Sequence, residues 1–257
     1  MITPSKTYRL ADMIRGLWDG REFHYVNYPN SIATEYMKIK DKFPKKQESL
    51  SFSKIDFKSL ISIIKSKKYK NFEKPDSNTI IVHLRVGDVI DGIPTTVDNF
   101  LHKSPAETKW KNGKNYVFNL DYYRHIITEL PTSLKNVVFV YGYKNRDESR
   151  YQHDKRYQKN PSNSCEKSEE YIEKLKTFFE SKGYNVTKKN CHTPIDKEDL
   201  DYKSFHQRLI KISENADIDF VYMCNAKHFV KSGGGFSKII SNVVQLQGNN
   251  SYPKNNK

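Results

Sequence analysis

Little in this sequence suggests a stapled or membrane-embedded fold. Its 257 residues include 3 cysteines, Cys165, Cys191 and Cys224, which lie far apart and form no C-x-x-C pair. That excludes a disulfide framework and a thiolate zinc site, and it suits a reducing compartment. No apolar run reaches the roughly 18 to 20 residues that a membrane helix needs. Residues 1–17 lack the apolar stretch of a secretory leader. The expectation is therefore a cytoplasmic protein with no membrane span. The 8 histidines include no H-x-x-x-H pair, and no G-x-S-x-G elbow occurs, so a zinc hydrolase and an α/β-hydrolase are both disfavoured.

What is present suits a folded domain. Aromatic residues make up 13% of the chain, which supplies large apolar area per residue and separates it from a disordered polymer. A chain of this length buries a core without covalent help. Lysine and arginine total 44 against 30 acidic residues, a net charge of +14 that draws anions toward the surface and favours phosphate-bearing partners. The excess is spread along the chain in pairs such as Lys45-Lys46, Lys67-Lys68 and Lys188-Lys189. With no RRM, KH or zinc-finger signature, nucleic acid is disfavoured as the partner.

The order of elements reads as α/β. In the first 75 residues the pattern predicts helices over Ala11–Trp18, Ile32–Ile39 and Ile55–Lys65 and a strand over Phe23–Val26. Turn formers from Phe72 to Asn78 mark a boundary, giving a small N-terminal region, 1–75, and a larger domain, 76–257. Thr79–Leu84 is nearly continuously apolar and rich in β-branched residues, as a parallel strand covered on both faces should be. The polar stretch from Val86 to Phe118 reads as a functional loop or lid. Helix over Asp121–Leu130, strand over Asn136–Gly142, a surface insertion over Tyr143–Ser168, helix over Glu169–Ser181 and strand over Tyr184–Thr187 follow. Helices over Asp201–Ser213 and Ala216–Asn225, a strand over His228–Lys231 and a helix over Phe236–Gln245 complete the pattern, and the polar tail from Gly248 is expected to fray.

Two segments carry chemistry. His83-Leu-Arg85-Val-Gly87-Asp88 lies at the C-terminal end of the first buried strand, where open parallel sheets hold their ligands. Arg85 offers a planar fork matched to phosphate oxygens, and Gly87 permits a sharp turn that returns Asp88 to the same crevice. A surface ion pair between Arg85 and Asp88 accounts for these residues equally well. The second segment, Ser232-Gly233-Gly234-Gly235-Phe236-Ser237, leaves a strand and opens a helix, flanked by Lys231 and Lys238. Unobstructed backbone N–H groups and the positive end of a helix make such a loop an anion cradle. A β-carbon at Gly234 or Gly235 should crowd that anion, and Gly235, adjoining the helix, is the sharper position to test. The spacing is neither G-x-G-x-x-G nor a Walker loop.

Taken in order, His83-Leu-Arg85-Val-Gly87-Asp88, then Asp219 to Ser232 with Met223, Cys224 and His228, then Gly-Gly-Phe236-Ser237, resemble the motifs of the fucosyltransferase superfamily that contains the α1,2-, α1,6- and protein O-fucosyltransferases. The resemblance is at motif level and covers residues 79–245. It implies a GT-B architecture of two Rossmann-like halves, here with a reduced N-terminal half, in which residues 76–257 bind the nucleotide sugar. It implies that Arg85 meets the donor β-phosphate and that Phe236 and Ser237 match the closing Phe-Ser of the later motif. Gly234 and Gly235 stand where the family often carries two serines, so backbone groups must replace side chains there. Arg9–Gly16, with Asp12 and Arg15, is similar to the loop and helix that open the acceptor-side half, though an ordinary amphipathic helix explains it as well.

The expected activity is inverting, metal-independent transfer of fucose or a related sugar from GDP-fucose or another nucleoside-diphosphate sugar to a glycan or protein hydroxyl, with no cofactor and no metal. Arg85, Asp88 and Asp12 are the candidate catalytic residues, with Asp91 a further guess for the base. His83, Arg85, Gly87, Arg15, Tyr141, Asp219, Ser232, Gly233, Gly234, Gly235, Phe236 and Ser237 are the candidate substrate contacts. Two alternatives stand beside this. Asp217-Ile-Asp219 and Asp199-Leu-Asp201 fit the Asp-x-Asp signature of a manganese-dependent GT-A transferase, and the basic surface fits a non-catalytic nucleic-acid-binding or phosphosugar-binding module.

Overall fold

The computed structural model describes residues 32, 35–36, 56–87, 89–91, 93–103, 116–142, 166–190 and 217–254. The elements expected over Ala11–Trp18, Phe23–Val26 and Asp201–Ser213 lie outside the described residues, as do the insertion over 143–165, Asp12, Arg15, Asp88 and Asp199.

Five strands form one parallel sheet: β1 Thr79–His83, β2 Asn136–Tyr141, β3 Asn185–Asn190, β4 His228–Val230 and β5 Asn250–Tyr252. Their order across the sheet is β3-β2-β1-β4-β5, and every neighbouring pair is parallel. The chain therefore winds outward from β1 to one side and then, from β4, to the other. This is the doubly wound, Rossmann-like order, and it leaves a crevice between the C-terminal ends of β1 and β4.

Burial explains why β1 sits centrally, since all five of its residues are inaccessible. Ile80 and Val82 join Val137, Phe139 and Val230 on one face, while Ile81 joins Val138, Val140 and Phe229 on the other. Each fully buried aliphatic side chain of this kind contributes about 1.5–3 kcal/mol.

Helices cover both faces. On the first face lie α2 Val97–His102, α3 Leu120–Glu129 and α4 Glu166–Ser181. Asn119 caps α3 by accepting from Tyr122 N at 3.2 Å. Helix α4 buries Tyr171, Ile172, Leu175 and Phe179 at helical spacing and stops at Gly183, whose φ of 81° lets Tyr184 N return to the Phe179 carbonyl at 3.2 Å. On the second face lie α1 Phe57–Ile64, α5 over 217–224 and α6 Gly235–Leu246. Asp56 caps α1 by accepting from Ser59 N at 3.1 Å, and Leu60, Ile63 and Ile64 carry it into the cluster formed by Ile240, Val243 and Val244 of α6.

Several expectations change here. The boundary drawn between 75 and 76 does not separate α1 from the sheet, because α1, Tyr69, Ile32 and Tyr36 share the core of the second face. The stretch after β1 is no open lid over its described part: Val86, Val89, Ile90, Ile93, Val97, Phe100 and Leu101 are all buried, and six residues of it form α2. The tail does not fray at Gly248. Asn250–Tyr252 adds the fifth strand, with Ser251 and Tyr252 buried and Ser251 Oγ 2.8 Å from Ser241 Oγ of α6. Among the described residues no helix is long and apolar enough to cross a membrane.

Candidate functional site at the β1–β4 crevice

The register brings the two chemically suggestive segments together. Val82 pairs with Val230, so the residues leaving β1 and β4 emerge side by side. His83 Nδ1 lies 2.7 Å from Ser232 Oγ, joining positions 149 residues apart in the chain. Both side chains are buried. Ser232 N donates to Ser237 Oγ at 2.8 Å, so the first turn of α6 folds back onto the strand exit and closes the glycine loop. The Phe236 ring lies 5.5 Å from His83 and 5.7 Å from Phe220 of α5, which fixes the start of α6 against the second face.

The conformational demand in this loop falls on one glycine. Gly234 has φ 89° and ψ 171°, a region open essentially to glycine alone, and it stands at the N-cap of α6 with no side chain capping the helix. A β-carbon built there would lie 3.7 Å from Tyr116 Cδ1, an ordinary contact, so backbone conformation and not space demands the glycine. Gly235 is the first helical residue. The sharper position is thus Gly234, not the Gly235 expected from the sequence; linear order cannot show which of three adjacent glycines takes the positive φ.

Positive charge gathers around this helix end. Lys231 follows β4, its N–H bonded to the Tyr252 carbonyl at 3.1 Å and its own carbonyl receiving the Tyr122 hydroxyl. Burial, and then the neighbouring Lys238 ammonium, lower the Lys231 pKa. On the β1 side, burial and then the Arg85 guanidinium push His83 down to about 3, so its imidazole is neutral at pH 7. A buried neutral ring beside cations, next to a helix N-terminus that no side chain caps, is a setting that favours an anion.

The His83 shift implies a stability profile. The unfolded chain takes up a proton near pH 6.5 and the folded one only near 3, so stability is full above 6.5 and falls as pH drops through that window. Unfolding free energy is expected to fall by about 2 kcal/mol between pH 7 and pH 5 from this group. Denaturant titration at the two pH values should show the fall in the parent and a clearly smaller one in His83→Asn, where His228, also lowered by burial, still contributes.

Of the expected contacts, His83, Ser232, Phe236 and Ser237 are joined at this crevice, Gly233, Gly234 and Gly235 form the loop between Ser232 and Phe236, and Arg85 and Gly87 lie beyond the end of β1, Gly87 with φ 80° and its N–H bonded to Ser168. Tyr141 does not. It ends β2 but joins the core of the opposite face with Phe139 and Phe179. Asp219 is buried on α5, adjacent in sequence to the Phe220 that touches Phe236. Asp217 Oδ2 accepts from Ile32 N at 3.0 Å, an anchoring bond for the segment that contains Ile32. Asp91 accepts from Ser168 N at 3.0 Å on one oxygen and from Ser168 Oγ at 2.9 Å on the other, which makes it a structural acceptor. The roles of Tyr122, Tyr116 and Ser168 were not legible in sequence, since each acts on a partner remote along the chain. Among the described residues no group of three His, Cys, Asp or Glu side chains could hold a metal ion.

Comparison with family models, with curated proteins and with solved structures found no match to this chain.

Proposed function

We propose that this protein is a glycosyltransferase that binds a nucleoside-diphosphate sugar at the β1–β4 crevice and transfers the sugar, fucose in the first instance, to a glycan or protein hydroxyl. One observation carries the reading: the two segments that resemble the fucosyltransferase motifs meet at the switch point of the sheet, His83 Nδ1 to Ser232 Oγ at 2.7 Å. In the two-halved arrangement this reading entails, the sheet is the donor half and the N-terminal region supplies the acceptor side, apart from α1, Ile32, Tyr36 and Tyr69, which pack with the sheet.

The acceptor oxygen attacks the anomeric carbon from the face opposite the diphosphate, the bond from that carbon to the phosphate oxygen breaks, and the nucleoside diphosphate leaves. Charge grows on the leaving oxygen, and Arg85 with the N-terminal N–H groups of α6 would meet it, supplying the stabilisation a metal ion gives elsewhere. The acceptor proton needs a base. Since Asp91 and Asp217 are engaged in structural bonds, Asp88 and Asp12 remain the choices for that role.

Thermal unfolding in the presence of GDP, GDP-fucose and other sugar nucleotides tests the reading, because a donor that binds the folded chain alone raises its midpoint. GDP-fucose is expected to give the largest rise. A rise with no sugar transferred to any acceptor would favour the non-catalytic phosphosugar-binding module. Transfer activity is also expected to survive EDTA, the diphosphate being met by Arg85 and a helix end. Abolition by EDTA with recovery on adding manganese would instead favour the GT-A alternative.

A further inference from the structure

The turn that follows Arg85 is tied to a helix far along the chain. Gly87 N donates to Ser168 Oγ at 2.9 Å, and Ser168 Oγ donates in turn to Asp91 Oδ2 at 2.9 Å. Asp91 N closes the ring by donating to the Gly87 carbonyl at 2.8 Å. A second bond, Ser168 N to Asp91 Oδ1 at 3.0 Å, fixes Asp91 against the first turn of α4. Lys167 adds its ammonium to the Ile93 and Thr95 carbonyls at 2.7 and 3.1 Å, pinning the stretch that follows. Ser168 itself is fully buried.

The Val86–Gly87 peptide is where this ring meets Arg85. Its N–H points to Ser168, and its carbonyl, on the opposite side of the same rigid plane, receives Arg85 Nη1 at 3.5 Å. Rotating that plane moves both bonds together. The Ser168 bond thus holds one edge of the plane whose other edge lies beside the Arg85 guanidinium.

We propose that Ser168 and Asp91 form a positioning clamp that orients Arg85 through the Val86–Gly87 peptide, deepening the functional reading above and resting on it for the identity of the ligand. A buried hydroxyl with both a donor and an acceptor partner is expensive to replace, and here its loss frees a peptide beside the phosphate-facing residue. Ser168→Ala is expected to weaken GDP binding about tenfold. The same substitution in an Arg85→Ala background is expected to cost nothing more, because the clamp acts only through Arg85.

Calorimetric titration of GDP into the parent, Ser168→Ala, Arg85→Ala and the double variant gives this comparison. Nuclear magnetic resonance of the ligand-free proteins adds the order of the Arg85 Nε–H, assigned by its disappearance in Arg85→Lys. Ser168→Ala should lower that order. Should Ser168→Ala fail to fold, Asp91→Asn, which keeps one acceptor for Ser168 N, carries the same two measurements with a smaller expected loss. Equal weakening by Ser168→Ala with and without Arg85, or an unchanged Arg85 Nε–H, would overturn the clamp. A parent that binds no GDP would defeat the functional reading alone, and the Arg85 order would still decide the clamp.

Discussion

Arg85→Lys is expected to lower transfer from a nucleotide-sugar donor by about a hundredfold or more while leaving the thermal midpoint close to the parent's. The size follows from geometry more than from charge. Lysine preserves the positive charge but presents a point-like, strongly hydrated ammonium in place of a planar fork able to follow two oxygens of a leaving diphosphate. The residue is only half-buried beyond the end of β1, and lysine keeps its charge there, so the fold is expected to survive the exchange. Its charge adds to burial in lowering the His83 pKa. If the interaction forms mainly in the transition state, kcat falls and KM moves little. Steady-state kinetics on purified Arg85→Lys would show this, and near-normal turnover would put the phosphate contact elsewhere.

The second large effect concerns the glycine loop, where two neighbouring substitutions separate strain from crowding. Gly234→Ala forces a β-carbon onto φ 89° and ψ 171°, at a cost of about 1–3 kcal/mol in stability. The backbone relieves that strain by rotating, which turns the N–H groups at the start of α6 away from a bound anion. GDP affinity is therefore expected to fall at least about tenfold. Gly235→Ala places alanine at the first helical position, where it costs no helix propensity and leaves stability near the parent's. Any loss of GDP affinity in that variant reports direct crowding of the ligand. A connector with no ligand would show the stability loss at Gly234 and no change in nucleotide binding at either position.

The elements that sequence made legible are those whose own residues decide them. Thr79–His83 is apolar enough to be buried on both faces, and Val137–Tyr141 is nearly so. Helix α4 carries its apolar stripe and its terminating glycine within one stretch, and even so begins at Glu166, three residues before the expected start. What was missed depends on partners. Asn250-Ser-Tyr252 is too polar and too short to read as a strand, and it becomes one because Ser241 and His228 receive its side chains and β4 its backbone. Val97–His102 hides within the long polar stretch from Val86 to Phe118, its three polar residues, Asp98, Asn99 and His102, matching the three that bury.

The site divides along the same line. The crevice segments were visible because glycine runs and an arginine after a buried strand have chemistry of their own. Tyr141 was misplaced because a strand-end aromatic can face either layer, and the alternation within β2 sends it to the face opposite His83. Asp91 looked like a free carboxylate because its partner, Ser168, stands 77 positions away. Sequence order contains no sign of that pairing.

Calorimetric titration of GDP into the parent protein and into Arg85→Ala, at pH 7 and low salt, tests the central claim most directly. Saturable one-to-one binding by the parent is expected, with a loss of at least about tenfold in affinity when the guanidinium is removed. No binding by the parent, or equal binding by both proteins, would contradict it.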